Sequence, residues 1–356
     1  MKRRSFVKKS GSAALLTVSL PIIPSFSPIV AEMRFGIAEA SYVQRRYANL
    51  ESTTYPAFTD TLQMVEHCSS KGFGGVQFSV SGWDKTYANN VKKRVEELNM
   101  FLEGQIRLPE DDKDLQRFTL EVSAAKEAGV DVLRTVCLSG RRYESFDTID
   151  AFKEFSTKSI NSLKLAEPVV RNMGVKLAIE NHKDWRTAEM IELLNTIDSE
   201  WIGVTLDTGN NISLLEDPME VVEALAPYAF TVHLKDMAVA EYEDGFLLAE
   251  INLGQGFLDL DKMITVIKDH NPDIRFNLEM ITRDPLKVPC LTKGYWATLD
   301  QISGSELASF LHKIKKKNST SPLMVISKNP PDDKLALEIA NNSASLKYAR
   351  QRLGFN

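Results

Sequence analysis

The chain has 356 residues, 43% of them apolar, and its 43 lysines and arginines nearly balance 48 aspartates and glutamates, for a net charge of −5. This length is large for one domain but normal for a barrel of alternating strands and helices with extensions. The main basic cluster, Lys313 to Lys317, closes a predicted helix, where cations complement the helix dipole. The composition therefore argues against a large nucleic-acid-binding surface, and we expect no nucleic-acid partner.

The first 31 residues have the pattern of an export signal. Residues 2–8 read KRRSFVK, which matches the twin-arginine pattern, and residues 13–31 are mildly apolar but broken by three prolines. The prolines disfavour a stable membrane-spanning helix. We therefore expect a signal peptide over residues 1–31 that the twin-arginine translocation machinery reads, and a periplasmic mature chain without a stable membrane span. A basic tail on a cytosolic protein and a retained anchor are the alternatives.

Apolar, strand-like runs alternate with amphipathic helical segments from residue 33 to residue 280. The predicted strands lie at residues 33–40, 74–80, 103–108, 130–138, 175–181, 202–207, 230–235 and 274–280. The predicted helices between them lie at residues 58–71, 83–102, 115–128, 148–173, 187–197, 218–225 and 260–270. Regular alternation implies a parallel sheet, and eight strand–helix units imply an α/β fold of the closed (β/α)8 TIM-barrel type.

Three segments depart from a bare barrel. Residues 238–255 predict a small hairpin over the barrel mouth, and residues 282–299 contain two prolines with little periodicity and predict a loop. Residues 305–316 predict the last barrel helix, and residues 332–353 predict a further helix whose apolar spacing favours docking on the barrel. We therefore divide the chain into a signal peptide, a barrel and a C-terminal helical extension packed on it, at residues 1–31, 32–317 and 318–356.

Four of the predicted strands end in a side chain that commonly binds metal ions. These side chains, separated by 27, 26 and 46 residues, are Glu180, Asp207, His233 and Glu279. Because active-site residues of such barrels come from the C-terminal ends of different strands, we expect the four to meet at one mouth. Three carboxylates and one imidazole suit a divalent cation such as Mn²⁺, Mg²⁺, Co²⁺ or Zn²⁺. Four unrelated polar residues at strand ends are the alternative.

Other residues near these strand ends are candidates for catalysis or substrate binding. His182 and Lys235 each lie two residues after a predicted ligand, so they share its face if the strand continues. His182 could donate to a substrate hydroxyl, or instead orient a ligand carboxylate. Lys235 could act as an acid or base, or instead form an ion pair with Glu180 or Asp236. The candidates for substrate binding, for which rim salt bridges or core packing are the alternatives, are Arg107, Asn210, Arg283 and Trp185.

At these residues the chain resembles the xylose isomerase-like TIM-barrel superfamily, a group of sugar isomerases and epimerases that also includes inosose dehydratases and endonuclease IV. The resemblance covers roughly residues 33–317. It rests on the contexts Ile-Glu-Asn-His, Leu-Asp-Thr-Gly-Asn, His-Leu-Lys-Asp and Leu-Glu around the four predicted ligands, and on the pair Gly254-Gln-Gly256. The resemblance implies that one divalent metal ion is bound by Glu180, Asp207, His233 and Glu279.

Three features narrow what the resemblance implies. Asn210 stands where ketose epimerases often carry a histidine and where endonuclease IV carries a zinc ligand. The chain has only five histidines, too few of them near the site for a trinuclear zinc nuclease, so we do not expect DNA repair. The pair Lys235-Asp236 resembles the dehydratase-like and uncharacterised branches more than it resembles the plain ketose 3-epimerases.

The resemblance implies a divalent-metal-dependent sugar isomerase or epimerase that acts on a small-molecule sugar or keto-sugar. In such a reaction a proton is removed next to a carbonyl group and an enediolate forms. Glu180 and Glu279 are the candidate bases, with Lys235 and His182 as further candidates for proton transfer. An inosose-dehydratase-like lyase acting on a keto-sugar and a non-catalytic, exported sugar-binding protein are the alternatives.

Overall fold

Eight parallel strands close into a barrel in the computed structural model, which describes residues 33–299 and 302–356. The described residues contain eleven strands, of which β8, β9 and β11 lie outside the barrel. In chain order they are β1 Phe35–Ala38, β2 Gly75–Ser79, β3 Phe101–Gln105, β4 Val132–Thr135, β5 Lys176–Glu180, β6 Ile202–Asp207, β7 Ala229–Leu234, β8 Asp236–Tyr242, β9 Gly245–Ile251, β10 Arg275–Leu278 and β11 Leu286–Val288. Around the barrel the order is β1-β10-β7-β6-β5-β4-β3-β2. The (β/α)8 prediction is confirmed. The expected signal peptide lies outside the described residues.

Helices follow the barrel strands and cover the outside of the barrel. They are α1 Val43–Arg46, α2 Thr61–Lys71, α3 Lys85–Glu97, α4 Leu115–Glu127, α5 Arg142–Ser145, α6 Ile149–Met173, α7 Thr187–Ile197, α8 Pro218–Leu225, α9 Leu260–His270, α10 Gly304–Lys317 and α11 Pro331–Arg352. Helix α6 begins at the side-chain cap of Thr148 and ends at Gly174, whose φ of 62° suits glycine. Within the described residues, no helix has the length and hydrophobicity needed to span a membrane.

The boundary between α3 and β3 differs from the prediction. The helix was expected over residues 83–102 and the strand over 103–108, but the helix ends at Glu97 and the strand begins at Phe101. Asn99 lies between them with a φ of 52°, a left-handed conformation that breaks a helix. The predicted helix was too long because the apolar residues at the start of β3 fit the amphipathic pattern of α3.

A second, three-stranded antiparallel sheet in the order β11-β9-β8 lies beside the barrel. Its hairpin, β8 with β9, was predicted from residues 238–255, but β11 falls within the predicted loop at residues 282–299. Only three residues of β11 pair, with Leu286 and Val288 buried and Lys287 exposed. Such a short alternation could not be distinguished from a loop.

The eighth outer helix of the barrel is α11, whereas the prediction assigned this place to residues 305–316. Leu346 and Ala349 of α11 belong to the barrel core, and the ring of Phe355, just beyond α11, lies 4.6 Å from that of Phe35 in β1. Helix α10 instead packs Phe310 against Phe246 of the small sheet, in a separate apolar cluster. The C-terminal extension is thus part of the barrel wall.

Candidate metal centre

The four predicted ligands meet at one end of the barrel. Glu180 and Asp207 are the last residues of β5 and β6. His233 is the penultimate residue of β7, and Glu279 directly follows β10. These four strands are consecutive around the barrel, and Asp207 pairs in register with His233. All four side chains are buried, and one possible ligand atom from each lies within 4.8 Å of the others.

The orientation of the His233 ring is set by a polar chain inside the barrel. Glu103 of β3 accepts hydrogen bonds from Nε2 of Gln77 (3.0 Å) and from the hydroxyl of Thr231 (2.7 Å). Because the amide of Gln77 donates to Glu103, its Oε1 faces His233, 2.7 Å from Nε2. Nε2 of His233 therefore carries a proton, and Nδ1 is the nitrogen that faces the other ligands. Nδ1 lies 3.3 Å from Oε1 of Glu279 and has no hydrogen bond among the described residues. Burial lowers the pKa of His233, but the charges of Glu279 and Glu180 raise it above its usual value.

Asp207 is held by the loop that it begins. Its Oδ1 accepts the backbone N–H groups of Gly209 (2.9 Å) and Asn210 (2.8 Å), and its own N–H donates to Oδ1 of Asn181 (2.7 Å). Oδ2 has no hydrogen bond within the described residues, although Nζ of Lys235 lies 2.8 Å away. Burial raises the pKa of Asp207 to about 6, and the Lys235 ammonium acts in the opposite direction. One oxygen is thus held by backbone N–H groups, and the other forms an ion pair with Lys235.

Glu180 is held by two residues from neighbouring loops and strands. Its Oε2 accepts hydrogen bonds from the guanidinium of Arg134 in β4, at 2.7 Å from Nε, and its Oε1 accepts Nδ2 of Asn210 at 2.8 Å. Burial alone would raise the pKa of Glu180, but the Arg134 charge outweighs it and the pKa falls to about 2. The carboxylate is therefore ionised. Asn210, a predicted substrate-binding residue, lies directly against a predicted metal ligand.

Lys235 is buried between two of the predicted ligands. Its Nζ lies 2.5 Å from Oε2 of Glu279 and 2.8 Å from Oδ2 of Asp207. The side chain points into the site, as alternation predicted, and its ion pairs are with these two residues rather than with Glu180 or Asp236. Burial lowers the pKa of Lys235, but the two carboxylates raise it further than burial lowers it. In this arrangement Lys235 is a charged proton donor.

The carboxylate of Asp236 binds the backbone of the Gly254-Gln-Gly256 loop, which explains why this loop contains two glycines. Its carboxylate accepts the backbone N–H groups of Gly254, Gly256 (both 2.9 Å) and Leu258 (3.2 Å). A Cβ atom on Gly256 would lie 2.1 Å from Oδ1 of Asp236. Gly254 has a φ of 80°, which also favours glycine. The Gly-Gln-Gly segment is therefore the loop that wraps this buried carboxylate.

His182 and Lys183 lie on the loop that follows Glu180. Nζ of Lys183 donates to Oδ1 of Asn210 at 2.5 Å and lies 3.5 Å from Nε2 of His182. Burial, with the nearby Lys235 charge, lowers the pKa of Lys183 to about 8. Burial, with the Lys183 charge, lowers the pKa of His182 to about 3, so the imidazole is neutral. His182 thus lies beside the site, together with a lysine that the sequence did not single out.

The remaining predicted substrate-binding residues lie at different depths. Arg283 forms an ion pair with Glu250 of β9 and so links the small sheet to the end of β10. Arg107 is exposed on the rim and pairs with nearby acidic residues. Trp185 is 3% exposed and stacks on Phe155 of α6, with the ring centroids 5.4 Å apart. The structure therefore brings Arg283 near the centre but places Arg107 on the surface and Trp185 in the core.

The four side chains fit a divalent cation. They supply three carboxylates and one imidazole, the mixed oxygen and nitrogen set that Mn²⁺, Co²⁺ and Zn²⁺ accept. Two of the ligand atoms, Nδ1 of His233 and Oδ2 of Asp207, are buried without hydrogen-bond partners among the described residues. Ligands on opposite sides of an ion lie about 4.2 Å apart, since each bond is about 2.1 Å long. The four candidate ligand atoms lie within 4.8 Å of one another, a span compatible with one shared ion.

Two solved structures share the fold of this chain. One is a D-psicose 3-epimerase crystallised in the presence of D-fructose, which is 13% identical with a TM-score of 0.56 and covers 90% of this chain and 100% of its own. The other is a protein from Mycobacterium smegmatis in complex with magnesium, which is 13% identical with a TM-score of 0.54 and covers 78% of this chain and 98% of its own. At such identities the likeness concerns the fold.

Sequence comparison identifies the family. A 3-oxo-isoapionate decarboxylase of Pectobacterium atrosepticum is 30% identical over 124 residues, which are 34% of this chain and 45% of that protein. This chain spans only about half the length of the curated relatives it matches. Residues 65–299 match the sequence model of the xylose isomerase-like TIM barrel family. Because that segment is more than half of the chain and contains all four predicted ligands, the chain belongs to the xylose isomerase-like TIM barrel family.

Proposed function

We propose that the protein is a divalent-metal-dependent sugar isomerase or epimerase that removes a proton next to a carbonyl group. The observation that carries this proposal is the meeting of four ligand side chains, one of whose ligand atoms, Nδ1 of His233, is buried without a hydrogen bond among the described residues. A bound divalent ion would polarise the carbonyl of a sugar or keto-sugar and stabilise the enediolate that proton removal produces. The D-psicose 3-epimerase among the structural relatives supports this class.

Glu180 and Glu279 are the proton-transfer groups in this proposal. Strand order places them on opposite sides of the site, because β6 and β7 lie between β5 and β10. Arg134 keeps Glu180 ionised and Lys235 keeps Glu279 ionised, so either carboxylate can accept a proton. Removal of a proton by Glu180 and return from the opposite face by Glu279, after Glu279 takes up a proton from Lys235 through their hydrogen bond, would invert a stereocentre. His182, neutral and beside the site, would donate to a substrate hydroxyl.

A second candidate is a lyase, supported by the decarboxylase among the sequence relatives. In this reaction the bond between a carboxyl carbon and the carbon next to a keto group breaks, and its electron pair enters the carbonyl. Carbon dioxide leaves, and a protonated side chain returns one proton to the carbon. Lys235, held as an ammonium ion by Glu279 and Asp207, is placed to be that acid. The same carbonyl polarisation serves both candidates.

The test is solvent-proton exchange. Purified protein containing Mn²⁺ would be incubated in D₂O with a panel of ketoses and keto-sugar acids, and deuterium at the carbon next to the carbonyl would be measured by NMR. We expect metal-dependent exchange that falls about 10²- to 10⁴-fold in Glu180→Gln or Glu279→Gln, the loss typical of a missing general base. Loss in one variant alone would indicate that one carboxylate is the base and a different group is the acid, whereas release of carbon dioxide from a keto-sugar acid would identify the lyase. Exchange at the normal rate in both would contradict the assignment of these carboxylates as bases.

A protein that only binds sugar would behave differently in the same experiment. It would retain metal and bind a sugar, yet deuterium would not enter any member of the panel. Each member would therefore also be titrated by calorimetry. Metal-dependent binding of a sugar that undergoes no exchange, carbon dioxide release or isomerisation would contradict the enzymatic proposal and favour the non-catalytic alternative.

A further inference from the structure

Among the described residues, a buried ammonium ion beside the candidate metal centre has no counter-ion. Lys183 is 2% exposed, and no carboxylate of the described residues lies within 4.0 Å of its Nζ. Its recorded partners are the neutral Oδ1 of Asn210 at 2.5 Å and Nε2 of His182 at 3.5 Å. Buried charges in proteins are normally paired, because the loss of hydration costs several kcal/mol per ion. Lys183 therefore needs an anionic partner that the described residues do not supply.

The charges around Lys183 lead to the same requirement. The other cations near Lys183 have acidic partners. Arg134 pairs with Glu180, Lys235 pairs with Asp207 and Glu279, and Arg283 pairs with Glu250. A divalent cation held by the four predicted ligands would add positive charge and would not supply a counter-ion for Lys183. A neutral sugar supplies no negative charge before the reaction begins.

We infer that the substrate is a sugar acid whose carboxylate binds to Lys183. This inference rests on the proposed function and names the substrate class for that site. Asn210 places the two functions close together, because its Oδ1 accepts from Lys183 and its Nδ2 donates to Glu180 at 2.8 Å. A sugar acid could therefore bind the metal ion through its carbonyl group and bind Lys183 through a carboxylate a few carbon atoms away.

A carboxylate fits better than a phosphate. A phosphate dianion is usually held by several donors together, such as an arginine fork, a helix N-terminus or a glycine-rich loop. Both guanidinium groups here are already paired, Arg134 with Glu180 and Arg283 with Glu250. One unpaired ammonium ion matches the single charge of a carboxylate.

The test compares two ligands that differ only in the charged group. The acid is 5-keto-D-gluconate, and its neutral counterpart is L-sorbose, which has a hydroxymethyl group in place of the carboxylate. Both would be titrated by calorimetry into Mn²⁺-loaded protein of normal sequence, Lys183→Gln, Lys183→Arg and Lys176→Gln. Lys176, exposed at the opposite end of β5, is the matched control for the loss of one positive charge. Bound manganese would be measured in every sample.

We expect the normal protein to bind the acid about 10- to 100-fold more tightly than L-sorbose, the usual range for one charge-assisted hydrogen bond. Lys183→Gln should abolish this preference with unchanged metal content, Lys183→Arg should keep part of it, and Lys176→Gln should leave it intact. The inference is overturned if the acid binds no more tightly than L-sorbose, or if the preference survives in Lys183→Gln. The proposed function is judged separately, by metal content and proton exchange.

Discussion

The carboxylate of Glu103 fixes the orientation of the Gln77 amide by accepting its Nε2 at 3.0 Å. This contact decides which nitrogen of His233 carries a proton, since the amide oxygen is left to face Nε2 of His233. Among the described residues, Glu103 accepts hydrogen bonds from Gln77, Thr231 and Asn277 and makes none with the four predicted ligands. It is therefore a positioning residue that acts through Gln77.

Glu103→Gln should weaken metal binding about 10- to 100-fold without unfolding the barrel, the usual effect of losing such an outer partner. The new amide can donate to Oε1 of Gln77, so the Gln77 amide is free to turn and present N–H groups to His233. Titration with Co²⁺, followed by its absorption spectrum, would measure affinity and ligand geometry. Thr231→Val, which removes a different donor to Glu103, is the control. Normal Co²⁺ affinity in Glu103→Gln would show that the amide orientation does not depend on Glu103.

The metal-site prediction concerns the ligands directly. Purified protein should contain about one divalent ion per chain, and Asp207→Ala or His233→Ala should lose most of it, because each removes one of four ligands. Metal content would be measured by mass spectrometry after dialysis. Asp184→Asn is a suitable control, since Asp184 is buried near the end of β5 but is outside the group of four. Full metal retention in both alanine variants would overturn the site.

Much of this centre could be predicted from sequence, because strand-end positions are local features. Glu180, Asp207, His233 and Glu279 each follow a recognisable apolar run, and the barrel geometry brings such ends together. Gln77 and Arg134 are different. Each is one polar residue inside a short apolar strand, and its partner is far away in sequence: Gln77 lies 156 residues from His233 and Arg134 lies 46 from Glu180. A polar residue within an apolar strand indicates a buried polar contact, but its partner is known only once the closed barrel brings the two strands together.

The exchange of roles between α10 and α11 could not be predicted for a similar reason. Both are amphipathic helices after the eighth strand, and chain order favoured the first. What decides between them is the surface that each apolar face fits. Phe310 of α10 meets Phe246 of a sheet whose third strand is only three residues long, and that sheet was not recognisable as a packing surface.

Glu338 of α11 should make the stability of the protein depend on pH. This carboxyl group is fully buried and accepts the backbone N–H groups of Gln44 (2.6 Å) and Arg45 (3.1 Å). Burial raises its pKa to about 8, against the opposing effect of those N–H groups and the Arg45 charge. The folded protein therefore keeps a proton that the unfolded chain releases near pH 4.5. Its contribution to stability is complete below that pH and is lost as the pH rises toward 8.

Urea denaturation between pH 4.5 and pH 8.5 would measure this effect. Glu338→Gln removes the titrating group, so its free energy of unfolding should fall less steeply with pH than that of the normal protein, by up to about 1.4 kcal/mol per pH unit. Glu243→Gln, at the exposed turn of the β8–β9 hairpin, should follow the normal protein. Parallel curves for the normal protein and Glu338→Gln would mean that Glu338 is ionised throughout.

Export to the periplasm by the twin-arginine route is our proposal for the chain's location, from Arg3 and Arg4 and the apolar stretch that follows them. Changing both to lysine should leave the protein in the cytoplasm, because this pathway reads the arginine pair itself rather than its charge. Cell fractionation with antibody detection would measure the distribution. Lys8→Arg with Lys9→Arg is the control. An unchanged periplasmic yield in the double lysine variant would show that the segment is not such a signal.

The wall formed by α11 has a consequence for the order in which the chain can fold as it is made. Strand β1 is synthesised early, yet its neighbour β10 pairs with it through Phe35 and Phe276, and its cover includes Phe355. Nearly all of the barrel must therefore be synthesised before β1 can pair with both neighbouring strands and be covered by the C-terminal residues. Closing so long a loop is slow relative to local helix formation. A nascent chain that lacks α11 would expose β1 to chaperones and to other unfinished chains.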